Sequence, residues 1–356
     1  MLARKEETER MKKFFELSEE EKSRANEINK RTVFINACDS TFVPGFREEY
    51  FPKLIESKLT AISITVNYQG WMSLEEVLLN FGGLHSKINS NSDKLLLVEK
   101  VADIQRAKKE GKVGVIMAFQ DGRPMEYDLG LARALYRLGL RISGLTYQRK
   151  NYFADGCGER TDSGLSTLGV QLVEEMNRLG IVIDLTHTGH ASSLDAIEVS
   201  QHPVIFSHNC ARGIYDHFRN SSDEQLKALA RKGGVNCVST FAPFLRERGT
   251  LEGTTLEDTL NHIDYIVNLV GVDYVGVGLD SAPDSRTPEQ ANTMAGRYPE
   301  FEWGLFEHRY AIKTVSDIQY LTHGLVARGY SDADIEKILG GNLLRVFSTV
   351  WKEPKG

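Results

Sequence analysis

The sequence has few of the features that cross-link a chain or anchor it in a membrane. Its four cysteines, Cys38, Cys157, Cys210 and Cys237, are widely spaced and form no Cys-x-x-Cys pair, which argues against a disulfide scaffold or a zinc knuckle. No run of about 18 apolar residues occurs, so no membrane-spanning helix is expected. Residues 1–7 are followed by further charged residues rather than by the apolar core of a secretory signal. We therefore expect free thiols and a cytoplasmic location.

Positive charge is not in excess. The 43 Lys and Arg residues stand against 49 Asp and Glu residues, and the net charge of −6 argues against nucleic-acid binding. No GxGxxG or GxxxxGK[ST] motif follows the first predicted strand, so the usual nucleotide-binding signatures are missing. Hydrophobic residues make up 41% of the chain, with 31 glycines and only 9 prolines, which is typical of a globular protein. The length of 356 residues fits either two average domains or one α/β barrel.

Short β-branched runs alternate with amphipathic segments along most of the chain. Eight such runs predict strands, at 32–36, 60–66, 113–119, 141–146, 181–185, 203–207, 234–239 and 274–279. The segments between them predict helices, at 97–110, 126–138, 167–179, 191–199, 222–232 and 255–270. Near-continuous apolar strands indicate a buried parallel sheet, and eight strand-helix units are the number that closes a (β/α)8 TIM-type barrel. An open doubly wound sheet is the alternative.

The two ends of the chain add helices to this barrel. Residues 3–28 are rich in charge with a narrow apolar stripe, which predicts a helix. After the eighth strand, helices are predicted near 306–326 and 331–351, and no linker or repeat marks a second domain. We therefore expect an N-terminal helical extension over 1–30 and a single barrel with a C-terminal helical cap over 31–356.

The candidate site residues are polar side chains just beyond the carboxyl ends of the predicted strands. In a (β/α)8 barrel these strand ends meet at one face, where the active site lies. Six polar residues occupy such positions: Asp39, Gln120, Tyr147, His187, His208 and Asp280. We expect them to converge although they are far apart in sequence.

His187 and His208 follow consecutive predicted strands. Imidazole nitrogen is a common zinc ligand, so the pair suggests a two-histidine metal site. The alternative is that each histidine only forms a backbone hydrogen bond at its strand end.

Two aspartates and one arginine suggest further roles. Asp280 and Asp39 could each bind metal or act as a general base, and the alternative for both is a helix cap. Strand alternation places Ala37 and Asp39 on one face and turns Cys38 away, so Cys38 is not expected to be a ligand. Arg219 suits a substrate carboxylate through its bidentate fork, with a solvated surface position as the alternative.

Four further stretches of the sequence are distinctive: GLSTLGVQLVEEMNRLGIVIDLTHTG, HPVIFSHNCARGIYDHFRNSSDEQLKALARKGGVN, DYVGVGLD and GGNLLRVF. They resemble the renal (membrane) dipeptidase family of metallopeptidases, and the similarity runs from about residue 32 to 347. The resemblance implies a (β/α)8 barrel with zinc at its carboxyl end and hydrolysis of dipeptides that carry a free C-terminal carboxylate. It also implies that His187 and His208 bind one zinc, that Arg219 holds substrate and that Asp280 is the aspartate associated with catalysis.

The sequence departs from this family at three positions. Where family members have His-x-Asp after the first strand, this chain has Ala37, Cys38 and Asp39; Gln120 replaces a bridging glutamate, and Tyr147 replaces a substrate-contacting histidine. Alanine removes one ligand and glutamine is a poor bridge between two cations. We therefore expect one zinc rather than two, held by His187 and His208 with Gln120, Asp39 or water, and an ion-free site is the alternative.

These expectations define a metal-dependent hydrolase that cleaves an amide bond in a small carboxylate-bearing substrate. Asp280 or Asp39 would accept a proton from the attacking water, and Tyr147 would contact substrate and stabilise the oxyanion. Two alternatives are an enzyme of a specialised pathway on the same barrel and a catalytically silent homologue. The expected partner is the small-molecule substrate, without nucleic acid or membrane, and the resemblance adds a homodimer.

Overall fold

The strands form one parallel sheet. The computed structural model describes residues 17–39, 50–67, 72–280 and 308–352, together with the single positions 289, 292 and 296. The strands in these residues are β1 (Ile35–Asp39), β2 (Ala61–Asn67), β3 (Leu95–Leu97), β4 (Val113–Phe119), β5 (Leu140–Gly144), β6 (Val182–Asp184), β7 (Ile205–Phe206), β8 (Val235–Val238) and β9 (Val275–Val277). Their hydrogen-bonded order is β1-β2-β4-β5-β6-β7-β8-β9, and β3 pairs with the amino-terminal half of β4 outside this path.

The last strand returns to the first and nearly closes the sheet. The backbone N–H of Leu279 donates to Asn36 Oδ1 at 2.9 Å, and the N–H of Asp280 donates to the Cys38 carbonyl at 3.1 Å. Eight parallel strands with flanking helices thus make a (β/α)8 barrel, as predicted. The open doubly wound alternative is wrong.

Helices follow most of the strands. They are α1 (Glu19–Arg31), α2 (Tyr50–Glu56), α3 (Leu74–Ser90), α4 (Val101–Glu110), α5 (Gly130–Arg137), α6 (Thr167–Leu179), α7 (His190–Val199), α8 (Asp223–Arg231), α9 (Ala242–Leu245), α10 (Leu256–Val270), α11 (Tyr320–Ala327), α12 (Asp332–Glu336) and α13 (Asn342–Val350). Capping boxes begin several of them; Ser222, for example, accepts the N–H of Gln225 while the Gln225 side chain accepts the N–H of Ser222. The predicted helix at 97–110 begins later, at Val101, because Leu95–Leu97 forms the unpredicted strand β3.

The C-terminal helix α13 covers the amino end of the barrel. Its side chains Phe347 and Val350 pack in one cluster with inward-facing strand residues such as Ile142 and Val182. Hydrogen bonds reach the starts of the strands, as when Trp351 Nε1 donates to the Arg141 carbonyl at 3.2 Å. Because this end is closed, the carboxyl end is left for a site.

The N-terminal helix α1 packs against the helices that follow the barrel. Ile28 is fully buried, and the Thr322 hydroxyl of α11 donates to Asn29 Oδ1 at 2.5 Å. Arg24 forms an ion pair with Asp332 at 2.7 Å. The part of the predicted helix 3–28 that precedes residue 17 lies outside the described residues.

Candidate functional site

Two buried histidines form the centre of the site. His187 lies three residues beyond the end of β6, and His208 lies two residues beyond the end of β7. Their Nε2 atoms are 2.9 Å apart, and the rings meet at 64° with centroids 4.9 Å apart. Burial, with Arg219 and His208 nearby, holds the pKa of His187 well below its usual value. His187 is therefore neutral, which is the form that binds metal.

A buried carboxylate orients His208. Ser207 Oγ donates to Asp184 Oδ2 at 2.5 Å and lies 2.8 Å from His208 Nδ1. Because the serine hydroxyl proton points at the carboxylate, Oγ accepts from Nδ1–H, and His208 Nε2 keeps a free electron pair directed at the site. A hydrogen bond from the ring nitrogen that does not face the metal is typical of metal-binding histidines. The sequence reading missed Asp184 and Ser207, although polar residues inside two apolar strand ends were the available signal.

Asp280 and Cys38 stand next to His208. Asp280 Oδ1 is 4.0 Å from His208 Nε2, and the ligand atoms of Cys38, His208 and Asp280 all lie within 4.8 Å of one another. Both His187 and Asp280 have left-handed backbones, with φ of 71° and 56°. That conformation costs a residue with a side chain about 1–2 kcal/mol, so the fold holds these two residues in place at an energetic cost.

The expectation that Cys38 points away from the site is wrong. In β1, Asn36 pairs with Ile62 and Asp39 with Ile64, so three residues of β1 face two of β2. This β-bulge interrupts the alternation on which the expectation depended. Asp39 is buried, and its Oδ2 accepts the Tyr50 hydroxyl at 2.8 Å. The structure thus brings Cys38, rather than Asp39, to His208 and Asp280.

Gln120 and Tyr147 lie at the same end of the barrel. Gln120 Nε2 donates to Cys38 Sγ at 3.2 Å. The Tyr147 ring lies against His187, with centroids 4.1 Å apart, and its backbone N–H donates to Asp121 Oδ2 at 3.1 Å. Burial raises the pKa of Asp121 to about 6. Both predicted residues therefore contact members of the site.

A cavity of about 190 Å³ lies between the loops that follow β6 and β7. Its lining includes Thr188, Asn209 and three arginines: Arg160, Arg212 and Arg219. Arg219 is 2% exposed, which excludes the alternative of a solvated surface residue. Its Nη1 donates to Asn209 Oδ1 at 2.8 Å, and its guanidinium carbon lies 4.8 Å from the centroid of the Phe244 ring.

The remaining hydrogen-bond donors of Arg219 indicate a site for an anion. Its Nε and Nη2 are buried and have no hydrogen-bond partner among the residues that the structure describes. Leaving charged donors unpaired in the interior is costly, so the arrangement suits a ligand that accepts from both nitrogens. A carboxylate has two oxygens at the right spacing.

Comparison with known proteins decides the family. The family model described as membrane dipeptidase (peptidase family M19) matches residues 51–354. The chain belongs to the membrane dipeptidase family. Among its relatives, Dipeptidase verJ of Clonostachys rogersoniana is 30% identical over 280 residues, which are 78% of this chain and 66% of that protein. Dipeptidase 3 of Mus musculus is 30% identical over 259 residues, 71% of this chain and 48% of that protein. The chain thus spans about half to two thirds of the length of these relatives.

Solved structures agree with this membership of the membrane dipeptidase family. An amidohydrolase from Pseudomonas aeruginosa superposes with a TM-score of 0.82 and 31% identity, over 92% of this chain and 99% of that one. A metallopeptidase from Rhodobacter sphaeroides, with 20% identity and a TM-score of 0.75 over 90% of this chain and 100% of that one, shares the fold. The resemblance drawn from the sequence is confirmed.

The donor atoms at this site fit the metal that a membrane dipeptidase implies. Two imidazoles, a carboxylate and a thiol are the groups that zinc binds, and His208 already has the outer hydrogen bond that such a ligand needs. Among the described residues, no helix is both long enough and apolar enough to cross a bilayer.

Proposed function

We propose that this member of the membrane dipeptidase family is a metal-dependent hydrolase that cleaves an amide bond in a small substrate with a free carboxylate. One observation carries the proposal: Thr188 and Asn209, which directly follow the paired His187 and His208, line the same cavity as Arg219. Two buried donors of Arg219 have no partner among the described residues. A metal-binding group and an anion-binding group thus occupy neighbouring positions. The 31% identical structural relative is itself named an amidohydrolase.

His187, His208 and Asp280 are the residues that would hold the cation, which we propose to be a single zinc. Ala37 offers no ligand and Gln120 carries no charge, so a second cation would lack the carboxylate bridge on which it depends. When bound, zinc would polarise the substrate carbonyl and lower the pKa of water.

Arg219 would bind the substrate carboxylate. Its stacking on Phe244 and its bond to Asn209 fix the plane of the guanidinium, so its remaining nitrogens are directed before substrate arrives. Such preorganisation reduces the entropy lost on binding. A carboxylate held here would place the adjoining amide bond near the histidines, because Asn209 directly follows His208.

Asp280 would hold the cation with one carboxylate oxygen and accept the proton of the attacking water with the other. Its carboxylate is partly exposed and close to His208, whereas the other candidate, Asp39, is fully buried and accepts a hydrogen bond from Tyr50. Tyr147, packed on the His187 ring, would contact the substrate and donate its hydroxyl to the developing oxyanion.

The first test is metal content followed by hydrolysis. Elemental analysis of the purified full chain is expected to find about one zinc per chain, and a panel of dipeptides and N-acyl amino acids should include substrates that are cleaved. Chelator should abolish cleavage, and added zinc should restore it. The matched control is the same panel with the C-terminal carboxylate converted to an amide, which Arg219 cannot bind by charge. If the zinc-loaded chain turns over no member of either panel, the proposal fails.

A further inference from the structure

We propose that Cys38 binds the metal as a thiolate, together with His208 and Asp280. The inference rests on the proposed metal site and adds a ligand that the family pattern does not contain, since the family places a histidine one position earlier, where this chain has Ala37. Three described residues offer ligand atoms within 4.8 Å of one another, and Cys38 is one of them.

The backbone holds Cys38 in this position. The bulge in β1 gives the strand one extra residue, and the N–H of Cys38 donates to Asn36 Oδ1 at 3.2 Å. The same Asn36 oxygen accepts the N–H of Leu279, at 2.9 Å, and the carbonyl of Cys38 accepts the N–H of Asp280. Cys38 and Asp280 are therefore positioned by one hydrogen-bond network, as two ligands of a single ion need to be.

The side-chain amide of Gln120 donates a hydrogen bond to the sulfur of Cys38. Its Nε2 lies 3.2 Å from Cys38 Sγ, and its backbone N–H is fixed by Asn67 Oδ1 at 2.9 Å. An amide N–H stabilises the negative charge of a thiolate, whereas the glutamate that the family has here would repel it. Gln120 is thus a positioning residue for Cys38, and the two departures from the family pattern compensate each other.

Charge balance supports the same assignment. A thiolate on Cys38 and the carboxylate of Asp280 supply two negative charges, which match one divalent cation. The charge that Gln120 lacks, compared with glutamate, is thereby restored on β1, two strands away in the barrel. On binding, the S–H bond of Cys38 breaks, its proton passes to solvent, and the sulfur electron pair forms the bond to the metal. A sulfur ligand favours zinc or cobalt over magnesium or calcium.

Cobalt(II) provides a readout that does not depend on activity. Cobalt binds the same ligands as zinc, and a coordinated thiolate gives an intense near-ultraviolet charge-transfer band. We expect the metal-free full chain, titrated with cobalt(II) alone, to develop this band with a stoichiometry of one. Cys38→Ala should remove the band and weaken cobalt binding by at least about tenfold, while Cys237→Ala, which changes another buried cysteine of the barrel, should keep both.

Gln120→Leu tests the supporting hydrogen bond. Without the N–H donor the thiolate is more electron-rich, so the charge-transfer band should move to longer wavelength while the stoichiometry stays at one. The proposal is overturned if the full chain binds cobalt without the band, if it binds no cobalt, or if the band persists in Cys38→Ala.

The two proposals fail separately. A chain that hydrolyses amides but shows no thiolate band disproves the role of Cys38 and leaves the proposed hydrolase intact. A chain that shows the band and loses it in Cys38→Ala, yet cleaves no substrate, supports the ligand and disproves the hydrolase.

Discussion

At the scale of single residues, the site is built from side chains that are rarely buried without a partner. Arg219 and His187 are both inside the protein, and each has at least one ring or guanidinium nitrogen without a partner among the described residues. Native proteins leave few such groups unpaired. Beyond the effect of burial, Arg219 is also near enough for its charge to lower the pKa of His187, so the two groups together are the strongest local indication of a ligand.

The contribution of Arg219 can be measured with Arg219→Lys. Lysine keeps the charge but loses the planar fork, and a charge-assisted hydrogen bond contributes about 1.5–3 kcal/mol, so kcat/KM for carboxylate substrates should fall about 10- to 150-fold. For the amidated substrates the value should change little. Arg231→Lys, at an exposed position of α8 outside the cavity lining, is the matched control and should leave both values unchanged. An equal fall for both substrate classes would argue against carboxylate binding.

The sequence reached His187, His208, Asp280 and Arg219 because each follows a recognisable strand or lies in a family motif. It could not reach Cys38, because a prediction from alternation assumes a regular strand, and the β1 bulge depends on pairing with β2. The catalytic, substrate-binding and metal-binding roles given to these residues stay predictions until the experiments above are done.

At the scale of elements, most strands and helices were predicted to within a few residues because apolar runs and amphipathic segments alternate clearly. Helix α6 has the predicted bounds, Thr167–Leu179. Strand β3 was missed because its three residues, Leu95–Leu97, form too short an apolar run to indicate a strand, and the last of them was assigned to the helix predicted at 97–110. Short strands of this kind are defined by their partner, here β4, rather than by their own pattern.

Helix α10 supports the loop that follows His208 through a neutral histidine. The N–H of Ala211 donates to His262 Nδ1 at 3.0 Å, and His262 Nε2 donates to the Leu245 carbonyl at 3.1 Å. Burial lowers the pKa of His262 from 6.5 to about 4, against smaller opposing effects of Leu245 and Asp258. A proton on Nδ1 would break the bond from Ala211.

The stability of the protein should therefore decrease in mild acid. The unfolded chain binds a proton at His262 near pH 6.5 and the folded chain only near pH 4. The contribution of His262 to stability is therefore fully present above pH 6.5 and is lost as the pH falls towards 4. Between pH 7 and pH 5 this one group should account for about 2 kcal/mol. Urea denaturation of the full chain and of His262→Gln, at pH 7 and at pH 5, measures this difference in the free energy of unfolding. The variant His85→Gln controls for the loss of a histidine. Equal pH dependence in all three would contradict the assignment.

At the scale of the whole molecule, the two ends of the barrel have separate tasks. Helix α13 closes the amino end, where Phe347 stacks on Trp351 with ring planes 6° apart and centroids 4.2 Å apart. The histidines and the arginine cavity occupy the carboxyl end. Changes at one end should therefore affect stability and changes at the other should affect chemistry.

Phe347→Ala tests this division. Phe347 is fully buried, so its truncation should lower the free energy of unfolding by about 3–5 kcal/mol, whereas Ser348→Ala on the exposed side of α13 should change it by less than about 0.5 kcal/mol. Cobalt affinity, measured where both variants are folded, should equal that of the unchanged chain. Weaker cobalt binding in folded Phe347→Ala would show that the two ends are coupled.

The bulge in β1 has a consequence for how related barrels are compared. One extra residue shifts the phase of a strand, so a position-by-position alignment no longer says which of its side chains reaches the mouth of the barrel. Ala37 reads in such an alignment as a lost ligand, although the adjacent Cys38 has its sulfur within 4.8 Å of the ligand atoms of His208 and Asp280. For such sites, equivalent residues are identified by the positions of their side-chain atoms rather than by their places in the sequence. A shift of phase in one strand can thus put a different ligand type at the mouth of the barrel.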